Sequence, residues 1–143
     1  MLHFQLVSIS GKKFDDDVYE VVLPTLDGQI GVLQDHMPLV SVATTGVVMV
    51  RRGPRDPDTA CEFFAINGGA IEVANNNLRV LVDEADHADE INEAEAKAAL
   101  ERAQKMQAEA KDQVSLEQAQ ALVDRHSVRL EVAGLKRRHH RNQ

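Results

Sequence analysis

Six histidines, one cysteine and a run of three aspartates are the side chains most able to do chemistry in this sequence, and their spacing assembles little from them. The histidines stand at positions 3, 36, 87, 126, 139 and 140, and none belongs to an H-E-x-x-H pair. Cys61 has no C-x-x-C partner, so neither zinc pattern is present. His139-His140 offers at most adventitious metal binding. Cys61 would need a neighbouring base to act as a nucleophile; beside Phe63-Phe64 it reads as a packed side chain. Asp15-Asp16-Asp17 lacks the ligand spacing of an EF-hand loop and reads as a solvated turn. Neither G-x-x-x-x-G-K-[ST] nor G-x-G-x-x-G occurs, so no phosphate-cradling loop is recognisable. The patterns identify no catalytic residue, no metal ligand and no cofactor site.

Two features rise above this background. In Asp27-Gly28-Gln29-Ile30-Gly31-Val32-Leu33-Gln34-Asp35-His36-Met37-Pro38-Leu39, two glycines and a proline shape the backbone so that Gln29, Asp35 and His36 are expected at one end of the β-domain. The plainer reading is a hairpin with a structural histidine. The second feature is a basic stripe. Arg125, Arg129 and Lys136 fall within about 40° of one another on a helical wheel, opposite a Leu116/Val123/Leu130 face, and Arg137, Arg138 and Arg141 extend the charge. Such a stripe suits an acidic protein partner or a solvated helix face.

The elements that must carry these residues fall into two halves. Through about Asp89 the chain reads as β-structure. Val18–Leu23 is a strand closed by Pro24, Gln29–Leu33 a second, and Thr45–Arg51 a third. Glu62–Ile66, Ala70–Val73 and Leu78–Val82 follow, with Asn75-Asn76-Asn77 as a turn tolerant of positive φ between the last two. Gly53–Asp58 is a loop. Many short strands with closely spaced turns predict a β-sandwich or flattened barrel.

Beyond Asp89 no glycine or proline occurs until Gly134, and alanine becomes frequent. Residues 90–111 place Ile91, Ala99, Ala103, Met106 and Ala110 on one side of a helix capped by Asp89 or Asn92. Glu93/Lys97 and Glu101/Lys105 are favourable i,i+4 pairs. A break near Asp112–Val114 precedes Ser115-Leu116-Glu117-Gln118, a capping-box pattern opening a second helix, with Gly134 marking its end. The fold class is therefore α+β: a β-sandwich over 1–88, then an antiparallel helical hairpin over 89–143.

Composition narrows the partners. With 3% aromatic residues, no tryptophan and a net charge of −7, the chain is poorly suited to nucleic acid. No apolar run approaches the roughly 20 residues that span a bilayer, which argues against direct membrane insertion. Residues 1–89 carry a net charge of −8 and residues 115–143 a net of +3, so body and tail are expected to meet different surfaces.

Val21-Val22-Leu23-Pro24-Thr25-Leu26-Asp27-Gly28-Gln29-Ile30-Gly31-Val32-Leu33 followed by His36-Met37-Pro38-Leu39 resembles the E/D-G-x-[IL]-G-[IV]-L-P-x-H-x-P-L stretch of epsilon subunits of F-type ATP synthases. Asn67-Gly68-Gly69-Ala70-Ile71-Glu72-Val73 before Val80-Leu81-Val82-Asp83-Glu84-Ala85 is similar to that family's second signature. The resemblance extends over essentially the whole chain. It implies a non-catalytic central-stalk subunit of a proton-translocating ATP synthase, with a ten-stranded β-sandwich bound to the gamma subunit and seated on the c-ring. Gln29, Asp35 and His36 would face the ring. The C-terminal helices would extend toward the alpha/beta catalytic hexamer, where Arg125, Arg129, Lys136, Arg137 and Arg138 would meet acidic loops and restrain ATP hydrolysis. The implied location is peripheral, on the cytoplasmic face of a bacterial inner membrane, with the stromal face of a plastid thylakoid as the alternative.

The chain also departs from the family. Some members bind ATP through [IL]-D-x-x-R-A at the first helix; Ile91-Asn92-Glu93-Ala94-Glu95-Ala96 replaces the acid with Asn92 and the arginine with Glu95, so no strong ATP site is expected. The usual proline after the Gly-rich strand is Gln34, and the Arg51–Asp58 loop is longer and more charged than in many members. A free-standing adaptor that binds an acidic protein is the competing reading. An enzyme built on Asp35 and His36 is disfavoured, because adjacent strand residues point to opposite faces.

Overall fold

The computed structural model describes residues 1–141, with side chains described through Arg137. Eight strands form one continuous sheet that folds over on itself in the order β2-β1-β7-β6-β5-β3-β4, with β8 beside β6. They are β1 (Leu2–Ser8), β2 (Gly11–Val18), β3 (Glu20–Thr25), β4 (Gly28–Leu33), β5 (Leu39–Arg51), β6 (Glu62–Ala74), β7 (Asn77–Val82) and β8 (Ala85–His87). Two helices follow, α1 (Glu93–Glu109) and α2 (Gln113–Arg141). All neighbouring strands are antiparallel except β1 and β7.

The sheet turns a corner along a single line. β5 and β6 keep one register from Leu39↔Val73 to Val50↔Glu62, with pairing interrupted at Thr44 and Gly68. β7 and β8 continue one register along β6 and are interrupted at Asp83-Glu84, where the Asn67 side chain accepts the Glu84 N–H at 3.1 Å. The faces exchange across this line. Val48, Val50, Phe64 and Ile66 are buried in the core on one side of it, and Ala43, Ile71 and Val73 on the other. Gly69 makes the exchange possible: its φ is +153°, and a Cβ there would stand 2.0 Å from the Leu81 carbonyl oxygen. Counting the arms of β5 and β6 separately gives the ten strands that the resemblance implied.

The core between the layers contains Leu2, Phe4 and Leu6 of β1, Leu78 and Val80 of β7, and Val21, Leu23 and Val32 from the opposite layer. Phe14 lies 5.3 Å from Phe4 and 6.0 Å, edge-on, from Phe64 between ring centroids. The Arg52 guanidinium covers the Phe14 ring at 4.8 Å.

Several sequence expectations need correction. Asp15-Asp16-Asp17 is part of edge strand β2, not a turn; buried Phe14 and Val18 fix the strand, Asp15 and Asp17 take the opposite face beside His3, and exposed Asp16 meets Arg52. The predicted strand from Val18 breaks at Tyr19, and Pro24 lies inside β3, where the pairing with β5 is itself interrupted. Glu62–Ile66 and Ala70–Val73 are two arms of β6. The Arg51–Asp58 loop closes on Arg51, which bonds the Asp56 carbonyl and, at 2.6 Å, the Asp58 carboxylate.

The hairpin begins as expected: Asn92 caps α1 by accepting the Glu95 N–H at 3.0 Å. α2 is capped by Asp112 and not by Ser115, whose N–H and hydroxyl both donate to the Asp112 carboxylate. Gly134 does not end α2, because the adjacent Val132 and Ala133 are buried and carry the helix through it. A Cβ on Gly134 would meet no atom within 4 Å. Gly134→Ala should therefore stabilise the protein by about 1 kcal/mol, whereas Gly69→Ala should cost about 3 kcal/mol. Urea midpoints of the two variants, compared with the parent, check both signs.

Candidate functional site

α2 lies against α1, β5 and β6 and covers one outer face of the sandwich. Val132, with Val128 and Leu135 one turn to either side, packs on Phe63, Ala65, Val47, Met49 and Cys61. The α1 contact is made by small residues, since Ala96, Ala99, Ala103 and Ala119 are all buried and let the helices approach closely. The expected face of Leu116, Ala119, Val123 and Leu130 is covered only in part: Ala119 is buried, Val123 and Leu130 are half-buried and Leu116 is exposed, while a second face around Val132 lies on the sheet. α2 meets two neighbours, which rotates its apolar contacts away from any single seven-residue line.

The basic stripe therefore flanks the buried face and is already engaged within the chain. Arg125 pairs with Glu84, Arg129 Nε lies 3.3 Å from Asp86 Oδ2, and Lys136 pairs with Asp89. Arg137 donates to Glu93 at 2.7 Å, joining the far end of α2 to the start of α1, so the helices are antiparallel. The side chain of Arg138 lies outside the described residues. Both members of these pairs rise in number together, so α2 runs parallel to β8. Four helical residues advance about 6 Å and two strand residues about 6.7 Å, so the Arg125–Arg129 step matches the Glu84–Asp86 step. Arg129 is the least exposed cation of the stripe, at 13%. Its Nε reaches Asp86 without completing a hydrogen bond, beside a cavity of about 10 Å³ lined by Asn67, Glu84 and Asp86. The Lys136 ammonium holds the Asp89 carboxyl below the usual carboxylate range.

Gln29, Asp35 and His36 do not gather at one end. Gln29 belongs to the β3–β4 hairpin tip, where the Thr25 hydroxyl donates to the Gly28 carbonyl at 2.6 Å. Asp35 and His36 lie past the other end of β4, with about 13 Å of extended strand from Gln29 to Leu33. Asp35, at φ 66°, donates its N–H to the Asn76 side chain at 2.6 Å, tying this turn to the Asn75-Asn76 turn. His36 Nδ1 is 2.7 Å from the Met37 carbonyl oxygen.

Among the described residues nothing covers the apolar row on the other outer face of the sandwich. The paired residues Val42, Ala70, Leu81 and Val7 form an apolar row across four strands, next to Val40. Val40 is 82% exposed, Val42 53% and Leu81 42%. Neither this row nor the acids opposite the basic stripe emerged from the sequence. Glu84, Asp86 and Asp89 were visible as an acidic run after β7, but only tertiary placement sets them under α2. The row needs a strand register, and sequence reading had not recognised β1 at all.

The remaining reactive groups have structural roles. Both ring nitrogens of His3 meet carboxylates, Asp17 at 2.8 Å and Asp15 at 2.7 Å, which hold the imidazole above its ordinary pKa. Burial pushes the Cys61 thiol up, away from nucleophilic use. Among the described residues no group of three or more His, Cys, Asp or Glu is placed to hold a metal ion, and no helix is long and apolar enough to cross a membrane.

Residues 1–88 match the family model described as ATP synthase, Delta/Epsilon chain, beta-sandwich domain. The ATP synthase epsilon chain of Halalkalibacterium halodurans is 32% identical over 134 residues, 93% of this chain and 97% of the relative. That of Gloeobacter violaceus is 37% identical over the same shares. A chain in the Euglena gracilis mitochondrial ATP synthase structure (OSCP/F1/c-ring, rotational state 1) superposes with a TM-score of 0.76 at 21% identity, over 92% of this chain and 80% of that one. A chain in the central stalk/c-ring structure of the Tetrahymena thermophila enzyme gives 0.58 at 14% identity; both likenesses concern the fold. With sandwich and hairpin both spanned by relatives above 30% identity, the chain belongs to the ATP synthase epsilon chain family.

Proposed function

We propose that the chain is a non-catalytic rotor subunit of the central stalk of a proton-translocating F-type ATP synthase, and that its hairpin restrains ATP hydrolysis. The observation that carries the proposal is the asymmetry of the sandwich: one outer face is closed by the chain's own helix, while the other leaves the Val42–Ala70–Leu81–Val7 row open. A bare apolar row crossing four strands suits a protein partner, and the gamma subunit is assigned to it. The contact with the c-ring is assigned to Gln29, Asp35 and His36 as two patches, the β3–β4 tip and the β4–β5 turn. The location follows from these partners: peripheral, on the cytoplasmic face of a bacterial inner membrane, with the stromal face of a thylakoid as the alternative.

Restraint of hydrolysis is assigned to the basic face of α2, namely Arg125, Arg129, Lys136, Arg137 and Arg138, meeting acidic loops of the alpha/beta hexamer when the hairpin extends. The docked hairpin is supported by one apolar cluster and partly exposed ion pairs, which suits a segment that leaves its seat.

Docking also depends on pH. His126 sits among Arg129 and Arg125 of its own helix, Arg102 of α1 and Glu84 of the β7–β8 link; burial, then the three cations, push it below the ordinary imidazole value, and Glu84 alone opposes them. Undocking relieves the burial, which is the largest cause, while Arg125 and Arg129 stay beside His126 on α2, so the undocked imidazole binds more protons than the docked one. The docked form is therefore favoured above that ordinary value and weakens as pH falls below it.

Three outcomes test these assignments. Val42→Asp with Leu81→Asp should abolish co-purification with the gamma subunit while the isolated chain keeps its circular dichroism; retained binding would send the row back to chance. ATP hydrolysis by the reconstituted complex should rise when the full chain is replaced by one ending at Asp89, provided both stay bound to gamma, and equal rates would remove the hairpin from control of hydrolysis. The docked fraction should fall between about pH 7.5 and about pH 5.5, and His126→Gln should flatten that dependence.

A further inference from the structure

We propose that Glu84, Asp86 and Asp89 are an internal stand-in for the acidic partner of α2, so that docking of the hairpin and restraint of ATP hydrolysis compete for the same cations. The inference rests on the reading that the basic face of α2 restrains hydrolysis, and it adds what keeps that face unavailable. Each cation of the stripe has one acid of the β-domain side opposite it: Arg125 has Glu84, Arg129 has Asp86 and Lys136 has Asp89.

The match is one of geometry as well as sign. α2 runs parallel to β8, and the rise between Arg125 and Arg129 equals the strand step between Glu84 and Asp86 to within about an ångström. Lys136 then reaches Asp89 across the turn at Ala88–Glu90. Arg137–Glu93 joins the two helices to each other and is no part of this clasp.

The acids also have little other work in the fold. Asn67 holds the Glu84 backbone N–H, which leaves the Glu84 carboxylate for Arg125. The Asp86 backbone pairs with Ala65, and its side chain faces Arg129. The Asp89 side chain is 64% exposed and serves Lys136 and His87. Neutralising the three therefore removes the clasp without touching the apolar cluster around Val132 or any residue assigned to inhibition. The expected consequence runs against intuition: deleting acids from the body of the protein should make it a stronger inhibitor.

The test uses the full chain in the reconstituted complex, with Cys61→Ala and dyes on Arg55→Cys and Glu131→Cys to report docking. Glu84→Gln/Asp86→Asn/Asp89→Asn should shift the docked-to-extended ratio about tenfold toward the extended form. ATP hydrolysis should fall in the same complex. Adding Arg125→Gln/Arg129→Gln/Lys136→Gln should restore hydrolysis, because the cations that would meet the acidic loops are then gone. An unchanged docked fraction in the acid-neutralised chain would overturn the clasp and leave the inhibitory role of α2 standing. A hairpin that undocks without any fall in hydrolysis would overturn the inhibitory role itself, and the competition with it. Raising the salt concentration on the dye-labelled chain without the acid substitutions supplies a check free of folding effects, because a clasp of partly exposed pairs must weaken with screening.

Discussion

Along the line through Thr44, Gly68 and Asp83-Glu84 the sheet has to bend and exchange its faces, and the backbone can do so only because Gly69 lets the chain pass against the Leu81 carbonyl. Much of the architecture follows from that bend. It brings Phe64 and Ile66 over the same core as Ile71 and Val73. It leaves Phe63 and Ala65 outside as an apolar seat, and it carries Glu84 and Asp86 to the margin of that seat. The helix that settles there finds hydrocarbon under one side and carboxylates along its flank.

The two helices are held differently: α1 packs on α2, and α2 packs on both α1 and the sheet. Their mutual contact runs through buried alanines, which permit close approach but bury little surface per residue. Val132 and its neighbours supply the apolar contact of α2 with the sheet, on Phe63 and Ala65. Such an arrangement divides the labour between its parts. The sandwich has a core of its own, separate from the apolar cluster under α2.

Much of this plan could be read from residue order, and the limits have physical causes. Asn75-Asn76 announced its turn because both residues adopt positive φ, and Asn92 announced its helix because a side-chain acceptor is needed at that position. Leu2, Phe4 and Leu6 alternate as a buried strand should, and Ser10-Gly11 marks the turn that follows, so β1 was legible in the residue order although the sequence reading began its strands only at Val18. Asp15-Asp16-Asp17 looked like a turn because local propensity says nothing of Phe14 and Val18 anchoring an edge strand. Gly134 looked like a stop because its cost in a helix is local and its compensation is tertiary. The basic stripe was legible from spacing alone. Its occupants in the docked form were not, since a helical wheel shows which residues share a side and never what lies across from them. The separation of Gln29 from Asp35 and His36 was hidden for a similar reason: few positions apart in sequence means far apart on a strand.

The parallel run of α2 along β8 has a consequence for how tightly the hairpin can be held. A helix and a strand laid side by side behave like two rulers with nearly equal divisions. Each four-residue step of the helix falls short of each two-residue step of the strand by a fraction of an ångström. Two rungs coincide, a third is reached only because the chain coils at Ala88–Glu90, and a longer ladder would drift out of alignment. Fastening of this kind is self-limiting: adding charge to either rail cannot lengthen it, so its grip has a ceiling set by backbone geometry.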